Sequence, residues 1–135
     1  MSDNLSIVLF SGTDDKLHAA ATITAGAAAM GTPVSILLMY WALDAFRADR
    51  ISNDHGLAYD ASRPRWNEPV EHVGKIPWLE TFRQAKDLGE VTIRACAGSL
   101  ATLGLDATAM DPLVDDAGGI ASFLAAAQDG QILFI

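Results

Sequence analysis

Cysteine is almost absent from this sequence of 135 residues, because Cys96 is the only one. A lone cysteine excludes a disulfide framework within the chain and the paired Cys-x-x-Cys site of thioredoxin-like proteins. Disulfides belong to oxidising compartments, so we expect a reducing, cytoplasmic location. The amino-terminal stretch MSDNLSIVLFSG also lacks the basic region of a signal peptide.

Basic residues and long hydrophobic runs are also scarce. The chain has 9 Lys and Arg against 17 Asp and Glu, which gives a formal net charge of −8. Nucleic-acid phosphates require a basic surface, so we expect no nucleic-acid partner. No apolar run reaches the roughly 18 residues that a membrane span needs, and we expect a soluble protein.

The length and the hydrophobic content predict one domain over residues 1–135. Half of the residues are hydrophobic, enough for one core. A polar stretch at about 48–75 has neither helical nor strand periodicity and is rich in Asn, Gly and Pro. A loop of this length inside a domain is usually functional or disordered. We therefore predict a polar loop insertion at about 48–75.

Short apolar runs alternate with segments of helical character. The runs at 5–10, 33–40, 91–97 and 131–135 predict strands, and the segments 14–30, 77–89 and 119–128 predict helices. Such alternation favours an α/β fold with a mainly parallel sheet of four to five strands and right-handed crossovers. We predict the strand order 2-1-3-4.

The lone cysteine ends the third predicted strand. In the order 2-1-3-4, Cys96 lies beside the loop SGTDD that leaves the first strand, where open α/β sheets bind ligands. Ala97, Gly98 and Ser99 are typical of a helix start, and a helix amino terminus favours the reactive thiolate. Two interpretations are open at this point: a presented nucleophile and a buried structural thiol.

Several known thiol chemistries fail on spacing. A cysteine-dependent phosphatase needs arginine six residues after the cysteine, where this chain has Thr102. A peroxiredoxin commonly has threonine three residues before the cysteine, where this chain has Ile93. Sulfur relay needs only one thiolate, which attacks a sulfane sulfur and holds it as a persulfide.

Three motifs in this order resemble the DsrE/DsrF/DsrH-like family, in particular its stand-alone, peroxiredoxin-labelled branch. The first is FSGTDDKLHAAATITAGAAAMGTPVSILLMYWALDAFR, the second is VTIRACAGSLATLGL around the cysteine, and the third is DDAGGIASFLAAAQDGQILFI. The resemblance covers most of the chain except residues 48–75. Related proteins often carry a further cysteine after the first, and this chain has none.

The resemblance implies a flavodoxin-like, three-layer αβα subunit that forms a homo-oligomer, often a trimer or hexamer. It implies a sulfurtransferase or sulfur carrier that takes sulfane sulfur on Cys96 as a persulfide or thiosulfonate adduct. A small sulfur-containing substrate and a TusA-like sulfur carrier protein are the implied partners. The alternatives are a non-catalytic assembly or regulatory subunit of a sulfur-trafficking complex and, third, a thiol peroxidase.

Six further residues are candidates for a substrate pocket around Cys96. Ser11 and Gly12 either donate N–H groups to a bound anion or simply form a turn and helix cap. Tyr40 and Trp41 end the second predicted strand and either wall the pocket or pack under the insertion. Gly98 admits close backbone approach, and Ser99 is placed to cap the helix.

We expect neither a metal nor a cofactor. The three histidines and Cys96 match no zinc-binding spacing, and solvent-facing histidines are the usual case. Arg94 shares the cysteine's face of the strand, where it either stabilises a thiolate or oxyanion or forms a salt bridge at a subunit interface.

Overall fold

A sheet of five parallel strands forms the centre of the structure, a computed structural model that describes residues 4–58 and 78–135. The strands are β1 (Leu5–Leu9), β2 (Val34–Leu38), β3 (Val91–Cys96), β4 (Asp116–Gly118) and β5 (Gln131–Phe134). Their order across the sheet is β4-β3-β2-β1-β5. The four predicted strands are confirmed, each trimmed at its ends by comparison with the apolar run. The three-residue β4 was not predicted.

Five α-helices connect these strands in the described parts of the chain. They are α1 (Asp14–Ala29), α2 (Tyr40–Ala45), α3 (Trp78–Leu88), α4 (Ala97–Leu103) and α5 (Ile120–Ala126). The three predicted helices correspond to α1, α3 and α5. Gly31 follows the end of α1 with φ of 78°, the left-handed conformation that glycine adopts without strain and in which helices commonly end.

The predicted strand order 2-1-3-4 is wrong, because β2 lies between β1 and β3. Right-handed crossovers place successive helices on one face of a sheet as long as the strands advance in one direction. The strands β1, β2 and β3 do advance in one direction, so α1 and α3 pack side by side. Their contact is close at Gly89, where an added Cβ would lie 2.9 Å from the carbonyl oxygen of Ala28.

The chain reverses direction after β4, because β5 joins the sheet on the far side of β1. The crossover that contains α5 therefore runs opposite to the earlier ones and covers the other face of the sheet. The reversal of strand order falls between β1 and β5, not between β1 and β3 as predicted. The α/β class and the parallel sheet are confirmed.

Two buried clusters lie on opposite faces of the sheet. Alternate strand residues such as Ile7, Ile36 and Ile93 belong to the main cluster, which also contains side chains of α1 and α3. The second cluster is small and consists of Val8, Leu37, Cys96 and Phe123, with Met39 partly buried against it. Adjacent strand residues point to opposite faces, which explains why Ala95 and Cys96 belong to different clusters.

The described part of the predicted insertion, residues 48–58, folds back onto the start of α1. The buried Asp14 carboxylate accepts hydrogen bonds from the backbone N–H of His55 (3.1 Å) and from Nε1 of Trp78 (2.8 Å). The backbone N–H of Asp14 donates to the carbonyl of Gly56 at 2.8 Å. The rest of the predicted insertion, residues 59–75, lies outside the described residues. Within the described ranges, no helix is long and apolar enough to cross a membrane.

Candidate functional site

Cys96 is at once the last residue of β3 and the N-cap residue of α4. Its backbone is extended, with φ of −67° and ψ of 120°, and α4 begins at the next residue without an intervening loop. Cys96 is in register with Gly118 of β4, and its neighbour Ala95 is in register with Leu38 of β2. The thiol therefore lies at the carboxyl edge of the sheet, as predicted, but between β2 and β4.

The thiol is buried on the less covered face of the sheet. Only 3% of the Cys96 surface is exposed, and its neighbours in the small cluster are Val8, Leu37 and Phe123. All three are apolar and donate no hydrogen bond from their side chains. The conformation described here therefore holds Cys96 in a place where a protein-sized partner cannot reach it.

Gly98 and Ser99 both follow the cysteine inside α4. The cap prediction for Ser99 is wrong, because Cys96 occupies the N-cap position and Ser99 lies inside the helix. Ser99 is fully buried, and its Oγ has no hydrogen-bond partner among residues 4–58 and 78–135. A Cβ added at Gly98 would lie 4.0 Å from the Cys96 sulfur, an ordinary contact distance. Gly98 is therefore not required sterically beside the thiol.

Ser11 and Gly12 follow β1 and do not lie beside the cysteine's strand. The prediction placed their loop next to β3, but β2 separates the two strands. A Cβ on Gly12 would lie 2.4 Å from the carbonyl oxygen of Trp41, so a side chain there is excluded by backbone contact. Gly12 is thus explained by the close approach of this loop to α2, and Ser11 donates its N–H to the carbonyl of Ile135.

Tyr40 and Trp41 begin α2; the prediction that they end β2 is wrong, since that strand ends at Leu38. Tyr40 has φ of 43°, a left-handed conformation that is strained for a residue with a large side chain. Its ring meets the ring of Phe10 edge-on at 6.1 Å, and Phe10 stacks on Phe134 at 5.8 Å. Trp41 is 61% exposed. Aromatic side chains therefore lie directly after β2 in the chain, and β2 is the neighbour of β3 in the sheet.

Arg94 forms a salt bridge within the chain. Its Nε lies 2.8 Å from Oδ1 of Asp116, its register partner on β4. Both side chains are partly exposed, so this ion pair contributes little to stability. Of the two roles open for Arg94 at the sequence level, a salt bridge is the one observed, here between strands of one subunit.

The described residues, 4–58 and 78–135, contain no group of three or more His, Cys, Asp or Glu side chains that could hold a metal ion. His18 and His55 lie near the start of α1 and on the loop packed against it, and His72 lies outside the described residues. The atoms Nδ1 of His18 and Nε2 of His55 are buried without a hydrogen-bond partner in the described chain.

Sequence reasoning did not find the contribution of Phe123 to the surroundings of Cys96. The segment 119–128 predicts a helix that contains Phe123. It does not indicate which part of the core that side chain contacts, because α5 follows a strand that was not predicted. The reversal after β4 brings Phe123 into the cysteine's cluster.

Comparison with known proteins agrees with this architecture. Residues 1–62 match the DsrE/DsrF/DrsH-like family, and no curated protein matches the chain. The structure is similar to that of MTH1491, a protein of unknown function from Methanobacterium thermoautotrophicum, with a TM-score of 0.63 and 10% sequence identity over 99% of this chain and 100% of that chain. This likeness concerns the fold alone, and the family match ends before Cys96. The resemblance to the DsrE/DsrF/DrsH-like family is therefore confirmed over residues 1–62, together with a flavodoxin-like α/β fold.

Proposed function

We propose that this protein is a sulfur-relay protein that accepts sulfane sulfur on Cys96 and passes it to an acceptor thiol. One observation carries the proposal: the sole cysteine lies where β3 meets α4, at the carboxyl edge of a parallel sheet. Open α/β sheets bind their ligands outside the carboxyl ends of the strands. The family match over residues 1–62 supports the same function.

The chemistry needs one thiolate and no change in overall oxidation state. The Cys96 thiol first releases its proton to solvent, and its sulfur then attacks the terminal sulfur of a polysulfide. The new Sγ–S bond forms as the donor's S–S bond breaks, and the electron pair leaves with the shortened polysulfide. In the second half of the relay, an acceptor thiolate attacks the outer sulfur of the persulfide, and the Cys96 thiolate leaves.

Tetrathionate is a second donor with balanced chemistry. The Cys96 thiolate attacks a central sulfur, thiosulfate leaves with the electron pair, and the protein keeps a thiosulfonate group on Cys96. A TusA-like carrier protein is the proposed acceptor, and the cytoplasm is the proposed location, where a lone cysteine stays reduced.

A homo-oligomer forms part of the proposal. On β5, the side chains of Ile132 and Phe134 point to the same face and are 47% and 70% exposed. Among the described strands, β5 is also an edge strand that pairs with β1 alone. Exposed apolar side chains on an open strand edge are typical of a surface that a partner covers. The proposed partner is another copy of this chain.

A second candidate function is a non-catalytic assembly subunit. The burial of Cys96 favours it, because a sulfur carrier must expose its thiol to two different reactants. In this case Cys96 packs the core, and the protein contributes only a surface. The two candidates differ in what Cys96→Ser does: the variant of an assembly subunit keeps its partners and role, whereas a relay loses transfer.

Intact-protein mass spectrometry after exposure to polysulfide or tetrathionate tests the proposal. A relay gains the mass of one or two sulfur atoms from polysulfide, or of one thiosulfonate group from tetrathionate. Dithiothreitol then removes both adducts. The Cys96→Ser variant gains no mass and serves as the control for sulfur that binds the protein non-covalently. A native wild-type protein that gains no mass under either condition, with its thiol alkylated only after unfolding, contradicts the proposal.

A further inference from the structure

The helix that contributes Phe123 to the cysteine's cluster, α5, is held to the sheet by very few side chains. Phe123 is the only buried residue of α5, and Ala127, the C-cap residue, is the next buried position. Every other residue from Ile120 to Ala126 is exposed. The strand that leads into the helix, β4, is also largely exposed.

Such a segment has little stability of its own. A helix of seven residues is far below the length at which an isolated helix forms in water. No side chain caps its amino terminus, where Gly119 is the N-cap residue and follows Gly118. Regions with few buried apolar contacts open locally without unfolding the whole protein. The attachment of α5 therefore depends mainly on Phe123.

Phe123 is also the one member of the cysteine's cluster that can leave it. Val8 lies on β1 and Leu37 on β2, and each of these strands is hydrogen-bonded to a neighbour on both sides. Moving either side chain away requires breaking the sheet. Phe123 lies on a surface helix, so displacement of α5 removes it and leaves the sheet intact.

We propose that α5 is a lid on Cys96, and that the thiol reacts only while Phe123 is out of the cluster. The proposal rests on the proposed function in taking Cys96 as the residue that carries sulfur. With the lid closed, the 3% exposure of Cys96 protects the thiol. With the lid open, the thiol faces solvent at the carboxyl edge of the sheet. The lid reconciles a buried cysteine with a relay that must meet a donor and an acceptor.

Thiol labelling of the native chain with 5,5′-dithiobis(2-nitrobenzoate), across a series of urea concentrations, tests the lid. Local opening exposes little surface, so the labelling rate at low urea depends on urea much less steeply than global unfolding does. Phe123→Ala labels at least roughly tenfold faster than the wild type, because it removes the side chain that closes the lid.

Two matched variants separate the lid from general destabilisation. Leu124→Ala shortens the neighbouring, partly exposed side chain on α5. It leaves the labelling rate within about twofold of the wild-type rate. Phe82→Leu perturbs the fully buried main cluster on the opposite face, lowers global stability and leaves labelling at low urea unchanged. The lid is overturned if wild-type labelling follows global unfolding at every urea concentration, or if Phe82→Leu accelerates labelling as much as Phe123→Ala does.

This experiment does not depend on sulfur transfer. Fast labelling of Phe123→Ala without any sulfur uptake leaves the lid standing and overturns the relay. Sulfur uptake at the same rate in the wild type and in Phe123→Ala leaves the relay standing and overturns the lid.

Discussion

Cys96 and Phe123 are buried together, at 3% and 6% exposure, although one ends a strand inside the sheet and the other lies on a surface helix. The last crossover brings them together, because it is the one in residues 4–58 and 78–135 that runs back across the second face. The cysteine therefore contributes to packing, whatever its chemistry. The effect of replacing Cys96 on the free energy of unfolding measures that contribution.

Replacing the buried thiol destabilises the protein by an amount that depends on the polarity of the new side chain. Cys96→Ala removes one buried atom and lowers the free energy of unfolding by about 1 kcal/mol. Cys96→Ser places a hydroxyl among apolar side chains and lowers it by about 1–3 kcal/mol. Urea denaturation measures both values. Equal stability of the wild type and both variants contradicts the burial of Cys96.

Two glycines provide a matched test of the contact between the first loop and α2. Gly12→Ala brings a Cβ to 2.4 Å from the Trp41 carbonyl oxygen and lowers the free energy of unfolding by about 1–3 kcal/mol. Gly26→Ala, inside α1 and with nothing within 4 Å of the added Cβ, raises it by about 0.5–1 kcal/mol. Thermal denaturation separates the two variants. If Gly12→Ala is as stable as Gly26→Ala, the loop does not contact α2 in this way.

The hydrogen bond between Trp78 and Asp14 fastens α3 to the start of α1. Its donor and acceptor are both buried, and its length is 2.8 Å. A double-mutant cycle with Trp78→Phe and Asp14→Ala is expected to give a coupling energy of about 1.5–3 kcal/mol, the usual range for a hydrogen bond to a charged group. Additive effects of the two substitutions, within roughly 0.5 kcal/mol, mean that the two side chains do not interact.

The exposed apolar face of β5 predicts that a polar substitution there changes the oligomeric state. Phe134→Ser removes the more exposed of the two apolar side chains on this face and lowers the oligomeric state, because less apolar surface is buried between copies. Met30→Ser changes an 83% exposed side chain at the end of α1 and leaves the oligomeric state unchanged. Light scattering coupled to gel filtration gives both masses. A monomeric wild type, or equal masses for all three proteins, contradicts the proposed interface.

Much of the fold follows from the sequence because its signals are local. Strands such as Val34–Leu38 are apolar at four of five positions, which is typical of parallel strands covered on both faces. The ends predicted for the helical segments 14–30 and 77–89 differ by one residue from the observed ends at Ala29 and Leu88. The carboxyl-edge position of Cys96 also follows, since it depends only on where the apolar run ends.

Strand order and the burial of Cys96 could not be predicted, because both depend on contacts between distant segments. Strands made mainly of apolar residues carry no mark of their neighbours, so 2-1-3-4 and the observed order have the same local pattern. β4 is a three-residue strand with exposed side chains and gives no strand signal. Without it, the sequence gives no sign of the reversal that brings Phe123 into the cluster of Cys96.

Sulfur release from the loaded protein tests the relay most directly. The wild type is loaded with polysulfide, freed of excess donor, mixed with glutathione and followed by intact-protein mass spectrometry. We predict that the extra mass on Cys96 disappears while glutathione persulfide appears in equal amount. Extra mass that persists in the presence of glutathione, or a native protein that never acquires it, contradicts a relay through Cys96.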